Sequence, residues 1–151
     1  QTKESLGKHV EEILRSLHIP ILLVNDSFKP IKSLLLAYDG SVFAHKALET
    51  IIQDPIFPNT KRHIVNVDDD EERSKRLLDE ASLLFEKSNI QVQTASLKGD
   101  SVDSLLEYQK QHNLDIIVMG AFSHNRLRST LFGSFTTKFL NRVKTPVLLF
   151  R

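Results

Sequence analysis

Apolar positions along the chain follow two different spacings, and the two spacings take turns. Continuous apolar runs are typical of strands buried on both faces of a sheet, and apolar residues spaced by three and four are typical of helices. Residues 90–97 instead alternate between apolar and polar, which predicts a strand nearer a sheet edge. The apolar runs predict strands Ser33–Tyr38, His63–Val67, Ile116–Met119 and Pro146–Phe150. The helical spacing predicts helices Val42–Gln53, Val102–His112 and Ser134–Val143, and a further helix that starts in the acidic run 68–72 and extends to about Ser88.

The order of these elements from Ile31 onward is β-α-β-α-β-α-β-α-β, which predicts an α/β fold. The expected architecture is an open parallel five-stranded sheet with helices on both faces and right-handed crossovers. Such sheets bind ligands beyond the carboxyl ends of the strands, where the strand order reverses. Asp39 and Gly120 each follow a predicted strand. If those two strands are adjacent, the two residues converge on one site.

The first 25 residues add one helix and one strand ahead of this pattern. Apolar spacing predicts a helix over 4–17, and Ile21–Val24 has the composition of a short strand. Residues 7–24 align without a gap to 133–150, with a glycine and a proline in identical register. Such a repeat indicates repeated architecture. We therefore interpret residues 1–25 as the last helix and strand of a preceding domain, 26–30 as a linker and 31–151 as a complete domain; an ordinary α–β extension is the alternative.

The stretch 116–137 has the arrangement of an anion site. The apolar strand ends at Gly120, a polar and basic loop follows, and Gly133 and Ser134 open the next helix. Glycine allows positive φ and close approach of a ligand to the backbone. The first N–H groups of a helix lack partners and favour negative charge. The alternative is a plain strand end followed by a serine N-cap, without a ligand.

The same stretch resembles the signature of the universal stress protein family, G-x2-G-x9-G-[ST]. Gly120, Gly133 and Ser134 match this signature, and Ser123 stands where it has its second glycine. The LAYDGS segment at 36–41 resembles the first strand and helix start of that family, and the Gly99–Asp100 turn follows in the same order. The resemblance covers residues 31–151 and, through the repeat, the amino-terminal fragment. The family includes tandem two-domain members, which agrees with the interpretation of residues 1–25.

The resemblance implies a strand order of 3-2-1-4-5 and an adenine-nucleotide-binding fold. It implies a cytoplasmic regulatory module of the stress response, not an enzyme, with Mg²⁺ present only as a companion of the nucleotide. Because the Cβ of Ser123 restricts positive φ, the alternative is a member of the family that binds no nucleotide and acts through dimerisation and protein contacts. Weak ATPase activity is a third alternative. The residues that the resemblance implies for ATP or AMP are Asp39, Val67, Gly120, Ser123, Gly133 and Ser134.

Several polar groups have a structural interpretation beside the functional one. The carboxylate of Asp39 could close its own turn instead of contacting a ligand. The acidic run 68–72 lacks the alternate-residue oxygen spacing of a calcium loop. We interpret it as a helix start, where acidic residues are favourable, and we predict no metal site. His124, Arg126 and Arg128 lie in the central loop, where exposure to solvent is the simpler interpretation.

Composition and the absence of known motifs argue against several other classes of protein. The 20 basic and 19 acidic residues nearly cancel, so no net charge draws the chain to nucleic acid or to an anionic membrane. There is no cysteine, which excludes disulfides and thiol catalysis. No apolar run approaches the ~20 residues of a membrane span. The motifs of zinc proteases, nucleophile-elbow hydrolases and P-loop NTPases are absent, which argues against a dedicated enzyme.

The two repeated strands are candidates for pairing with each other. In the family that the chain resembles, the final strand lies at the sheet edge and pairs antiparallel with that of a second domain. An apolar edge with free N–H and C=O groups is usually covered. We therefore predict that Ile21–Val24 pairs with Val147–Phe150, in the same chain or in another subunit, and that the final strand is an edge strand of its own sheet.

Overall fold

The structure is a computed structural model that describes residues 9, 12–13, 16–27, 29–53, 56–120 and 132–151. Strands and helices alternate from residue 33 onward, as predicted. Of the five described positions of the expected first helix, 9, 12, 13 and 16 are helical and Leu17 is not. In chain order the elements are β1 (Ile21–Leu23), β2 (Ser33–Ala37), α1 (Val42–Gln53), β3 (Lys61–Val67), α2 (Glu71–Lys87), β4 (Gln93–Leu97), α3 (Ser101–Gln111), β5 (Ile116–Gly120), α4 (Phe132–Arg142) and β6 (Val147–Phe150).

The strands form one sheet in the order β1-β6-β5-β2-β3-β4. All neighbours from β2 to β6 are parallel. Counted within residues 31–151, this order is 3-2-1-4-5, so the predicted α/β class and strand order are confirmed. The predicted number of five strands is wrong by one, because β1 joins the same sheet.

The strand of the amino-terminal segment pairs with the final strand of the same chain. β1 runs antiparallel to β6, with Leu22 opposite Leu148. The side chain of Asn25 also donates to the carbonyl oxygen of Lys144, just before β6. The predicted pairing is therefore confirmed within one chain. Within the unit 31–151, β6 is an edge strand, as predicted, and β1 covers its outer side. β4 lies at the opposite edge, as its alternating pattern predicted.

Two apolar cores lie on opposite faces of the sheet because successive strand residues point to opposite sides. On β2, Leu34 and Leu36 face the core formed with α1 and α2, whereas Leu35 faces the core formed with α3 and α4. Phe85 of α2 and Phe139 of α4 are completely buried in these two cores. The helices therefore cover both faces, as predicted for a parallel sheet.

Candidate functional site

The carboxyl ends of three adjacent strands bring three predicted site residues to one edge of the sheet. We call this region, the ends of β5, β2 and β3 with Gly120, Asp39 and Val67, the carboxyl edge. Ala37 of β2 is in register with Met119 on one side and with Val65 on the other. The strand order reverses between β2 and β5, because the chain leaves β2 towards β3 but returns to the other side of β2 as β5. This reversal is where parallel sheets bind ligands.

Asp39 occupies the turn between β2 and α1. Its Oδ1 accepts a hydrogen bond from the backbone N–H of Ser41 at 3.0 Å, and Gly40 between them has φ +77°. Ser41 in turn caps α1, because its Oγ accepts from the N–H of Ala44 at 3.3 Å. The structural interpretation of Asp39 as a turn carboxylate is therefore correct. It leaves a second role open, since the side chain is exposed and Oδ2 makes no hydrogen bond within the described part of the chain.

Gly120 ends β5 against the first turn of α1. A Cβ atom at this position would lie 2.7 Å from the nitrogen of Ala44 and 2.9 Å from two atoms of Phe43. The φ of Gly120 does not lie in the left-handed region. The expectation that this glycine serves a positive φ is therefore wrong. The close approach that glycine permits here is that of the helix backbone.

The other signature residues fall on α4 and on the loop before it. Gly133 and Ser134 lie in the first turn of α4, which begins at Phe132, two positions earlier than predicted. The first N–H groups of α4 therefore belong to the residues that the signature predicted. α4 packs through Phe139 on the same face of the sheet as Ala37 and Val67. Ser123, His124, Arg126 and Arg128 lie outside the described residues.

Asn66 fixes the shape of the carboxyl edge, and the sequence interpretation gave it no role. Its Nδ2 donates to the carbonyl oxygen of Tyr38 at 2.9 Å, which ties β3 to the end of β2 just before Asp39. The side chain is 4% exposed, and its Oδ1 has no partner in the described part of the chain. A single polar residue inside the apolar run 64–67 is the sequence signal that points to such a bond.

The first three carboxylates of the acidic run 68–72 accept hydrogen bonds from neighbouring parts of the chain. Asp70 is the N-cap of α2 and accepts from the N–H of Arg73 at 3.1 Å. Asp68 accepts twice from the guanidinium of Arg73, and Asp69 accepts from the N–H of Gly99 at 3.0 Å. The predicted helix start is confirmed. Among the described residues there is no group of three or more His, Asp or Glu that could hold a metal ion.

Charges near the carboxyl edge are paired with each other. Asp100 caps α3 and forms an ion pair with Lys138 of α4 at 3.2 Å. The bond from the N–H of Asp103, together with Lys138, holds the pKa of Asp100 below its usual value. Arg142 pairs with Asp103. The pairs Asp100–Lys138 and Asp103–Arg142 join α3 to α4 and neutralise these two basic side chains of α4.

Burial, followed by the negative charges of Glu80 and Asp39, raises the pKa of Tyr38.

An open groove of about 910 Å³ lies at the opposite end of the sheet. It runs along the first residues of β3 and β4 and along the last turns of α2. Within it, the guanidinium of Arg62 donates to the carbonyl oxygens of Thr60 and Phe57, at 3.0 and 3.4 Å. None of the predicted site residues lines this groove. No helix in the described part of the chain is long and apolar enough to cross a bilayer.

Comparison with known proteins identifies relatives of the chain in sequence and in structure. The chain is 31% identical over 148 residues to the universal stress protein Slr1230 of Synechocystis. The aligned residues make up 97% of this chain and 52% of that protein. A universal stress protein from Archaeoglobus fulgidus superposes with a TM-score of 0.80 at 20% identity, over 100% of this chain and 57% of that one. The chain thus spans about half the length of the curated relative.

A second structure from Archaeoglobus fulgidus, a universal stress protein in complex with dAMP, has a TM-score of 0.60 at 16% identity. It covers 82% of this chain and 98% of its own. Likenesses at these low identities establish the fold. The family model of the universal stress protein family matches residues 30–151, the whole of the unit with strand order 3-2-1-4-5. The resemblance read from the glycine signature is confirmed, and the chain belongs to the universal stress protein family.

Proposed function

We propose that the chain binds an adenine nucleotide, ATP or AMP, at the carboxyl edge and acts as a regulatory module in a stress response. The observation that carries the proposal is the position of Asp39 and Gly120 on either side of the point where the strand order reverses. Parallel sheets bind ligands at that point. The dAMP complex of a protein with the same fold supports adenine as the base.

In this proposal each residue has a distinct task. The free Oδ2 of Asp39 accepts hydrogen bonds from ribose hydroxyls, because an exposed carboxylate is a strong acceptor. Val67, half-buried at the end of β3, offers an apolar contact to the base. Asn66 does not touch the ligand but positions the turn that carries Asp39, through its bond to Tyr38.

The phosphates belong at the first turn of α4. The N–H groups at the start of a helix bind anions without a positive side chain, and this turn contains Gly133 and Ser134. Lys138 and Arg142 of the same helix already pair with Asp100 and Asp103. The backbone of α4 therefore carries the larger share of phosphate recognition, together with Ser123 of the preceding loop.

The alternative function is a module without nucleotide that acts through dimerisation and contacts with other proteins. One specific observation favours it: Ser123 stands where the signature has a glycine. A Cβ at that position disfavours a positive φ in the loop. Neither function includes a catalytic step.

The deciding experiment measures bound and added nucleotide separately. Mass spectrometry of the small molecules released from purified, denatured protein identifies any adenine nucleotide that copurifies. Isothermal titration with ATP and with AMP then compares the wild type with Gly133→Val, whose side chain blocks the approach to the first turn of α4. We expect binding by the wild type and at least a tenfold loss in the variant. Equal affinities would remove the proposed site, and absence of any binding would favour the alternative module.

A further inference from the structure

The groove of about 910 Å³ at the amino end of the sheet contains, on the α2 face, one positive and one negative side chain from different elements. Arg62 lies near the start of β3, and Glu86 lies in the last turn of α2. Ser82, one turn before Glu86 on the same face of α2, lines the groove with it. Residues 89–93, which lead into β4, form a further wall. The groove therefore lies between three elements that meet away from the carboxyl edge.

Lys61 and His63 also border the groove, but their side chains belong to the other face of the sheet. Successive strand residues point to opposite faces, and the ring of His63 lies against the hydroxyl of Tyr108 in α3. Lys61 is close enough to His63 to contribute to the lowering of its pKa. Arg62 and Glu86 are thus the charged residues that line the groove on the α2 face.

The guanidinium of Arg62 is held in place without a carboxylate. Nη1 and Nη2 donate to the carbonyl oxygens of Thr60 and Phe57, and the buried Nε has no partner in the described part of the chain. No ion pair among the described residues includes Arg62, and burial lowers its pKa. A charge that is removed from water needs a partner of opposite sign. One N–H group on each Nη remains for such a partner.

Glu86 supplies the opposite charge. Its carboxylate is exposed and makes no hydrogen bond or ion pair with any described residue. Arg62 and Glu86 do not pair with each other, although they line the same groove. Two opposite charges that stay apart in one groove are complementary to a ligand that carries both signs, with its negative group at Arg62 and its positive group at Glu86.

Apolar surface is available beside these charges. Ile90 and Val92 line the groove, and each is only partly buried against the core formed with α1 and α2. The residues Asn89 and Gln91 of the same wall carry amide groups that can donate and accept hydrogen bonds. A few polar groups on a partly apolar surface are typical of sites for small molecules, and the volume of the groove is in the usual range for such sites.

We propose that the groove binds a free aliphatic α-amino acid, whose carboxylate pairs with Arg62 and whose ammonium group pairs with Glu86. The aliphatic side chain packs on Ile90 and Val92. The fork of a guanidinium matches the two oxygens of a carboxylate, and an ammonium group donates to a carboxylate. A simple anion fits less well, because Glu86 repels it and keeps an unpaired charge. The proposal is independent of nucleotide binding, since the groove lies at the opposite end of the sheet from the carboxyl edge.

The test titrates the 151-residue chain with L-leucine and follows the backbone amides by heteronuclear NMR. Isocaproate, which lacks the ammonium group of leucine, and isopentylamine, which lacks its carboxylate, are the matched analogues. We expect saturable shifts at residues 59–63 and 89–93 with L-leucine. Each analogue should bind more weakly by about tenfold or more, because it loses one charged hydrogen-bond partner.

Charge variants give a second measurement. Glu86→Gln is expected to weaken L-leucine binding by about tenfold or more without weakening isocaproate, whereas Arg62→Lys should weaken both. Glu72→Gln, at an exposed carboxylate of α2 outside the groove, is the control and should change neither. Glu86 is exposed, so its variant tests the site even if Arg62→Lys fails to fold. Absence of shifts with L-leucine, isocaproate that binds as tightly as L-leucine, or an unchanged affinity for L-leucine in Glu86→Gln would each overturn the proposal.

Discussion

The alpha carbon of Gly120 faces Ala44 so closely that a Cβ atom added to it would lie 2.7 Å from the nitrogen of Ala44. That nitrogen belongs to the first turn of α1 and donates to Oγ of Ser41, so it cannot retreat without loss of the helix cap. The end of β5 and the start of α1 are thus joined by backbone contact. This contact holds the Asp39 turn next to the end of β5, which gives the carboxyl edge its shape.

Gly120→Ala is expected to lower the free energy of unfolding by about 1–3 kcal/mol, the usual cost of an atom forced into a packed site. The control is Gly99→Asn. Gly99 has φ +88° and nothing within 4 Å of an added Cβ, and asparagine tolerates positive φ better than most residues. Urea denaturation of the two variants measures the difference. If Gly120→Ala is as stable as the wild type, α1 can shift enough to make room for the added Cβ atom.

Replacement of Asp39 by asparagine separates its two roles. Asparagine keeps an Oδ1 that can accept from the N–H of Ser41, so the turn and the stability of the protein should be preserved. The charge is lost, and hydrogen bonds donated to charged groups contribute about 1.5–3 kcal/mol. We therefore expect ATP affinity to fall by about tenfold or more in isothermal titration. The control is Asp79→Asn, an exposed carboxylate of α2 that pairs with Lys75; an equal loss in both variants would contradict a specific role for Asp39.

Most of the fold could be predicted from the sequence because most of its strands are continuous apolar runs. Ile116–Met119 is buried throughout, and the bounds of Val42–Gln53 match the predicted helix. Contacts between residues that lie far apart in the sequence could not be predicted in the same way. The contact of Gly120 with Ala44 and the bond from Asn66 to Tyr38 depend on packing between elements, which no local pattern encodes. For the candidate site, strand alternation placed Asp39 and Gly120 at one edge, but it could not tell a ligand contact from a backbone contact.

Asp115 accepts hydrogen bonds at the amino end of β2, opposite the carboxyl edge. Its Oδ2 accepts from the N–H groups of Lys32 and Ser33 at 2.9 and 3.1 Å, and from Oγ of Ser33 at 3.1 Å. Asp115→Ala leaves these donors at the start of β2 without an acceptor. We expect a loss of about 1–3 kcal/mol of stability, measured by urea denaturation, whereas Asp115→Asn retains an acceptor and should lose less. Equal losses in the two variants would show that the hydrogen bonds do not carry the effect.

His63 is expected to make the stability of the protein depend on pH. The residue is 5% exposed, its Nδ1 lies 2.7 Å from the hydroxyl of Tyr108, and burial, followed by His112 and Lys61, lowers its pKa. The unfolded chain therefore binds a proton at a higher pH than the folded chain. The contribution is fully present above pH of about 6.5 and is lost as the pH falls below it, by at most about 1.4 kcal/mol per pH unit.

The measurement is the free energy of unfolding between pH 5 and pH 8. His63→Gln should show a flatter dependence on pH than the wild type, and the exposed His18→Gln should follow the wild type. A variant at His63 whose stability falls as steeply as that of the wild type would mean that other groups cause the acid sensitivity.

Deletion of residues 1–25 should change the association state of the chain, because β1 covers the outer edge of β6. Val147 and Leu149 are each 1% exposed, and Ile21 and Leu23 of β1 pack against the core that contains them. Without β1, the N–H and C=O groups along the outer side of β6 lose their partners, and an apolar edge of this kind pairs with another chain. We expect a new dimer or larger species in sedimentation velocity. Leu22→Glu is the control, since it alters only a half-exposed side chain and keeps β1 in place; a deleted protein that sediments as a monomer would show that β6 needs no cover.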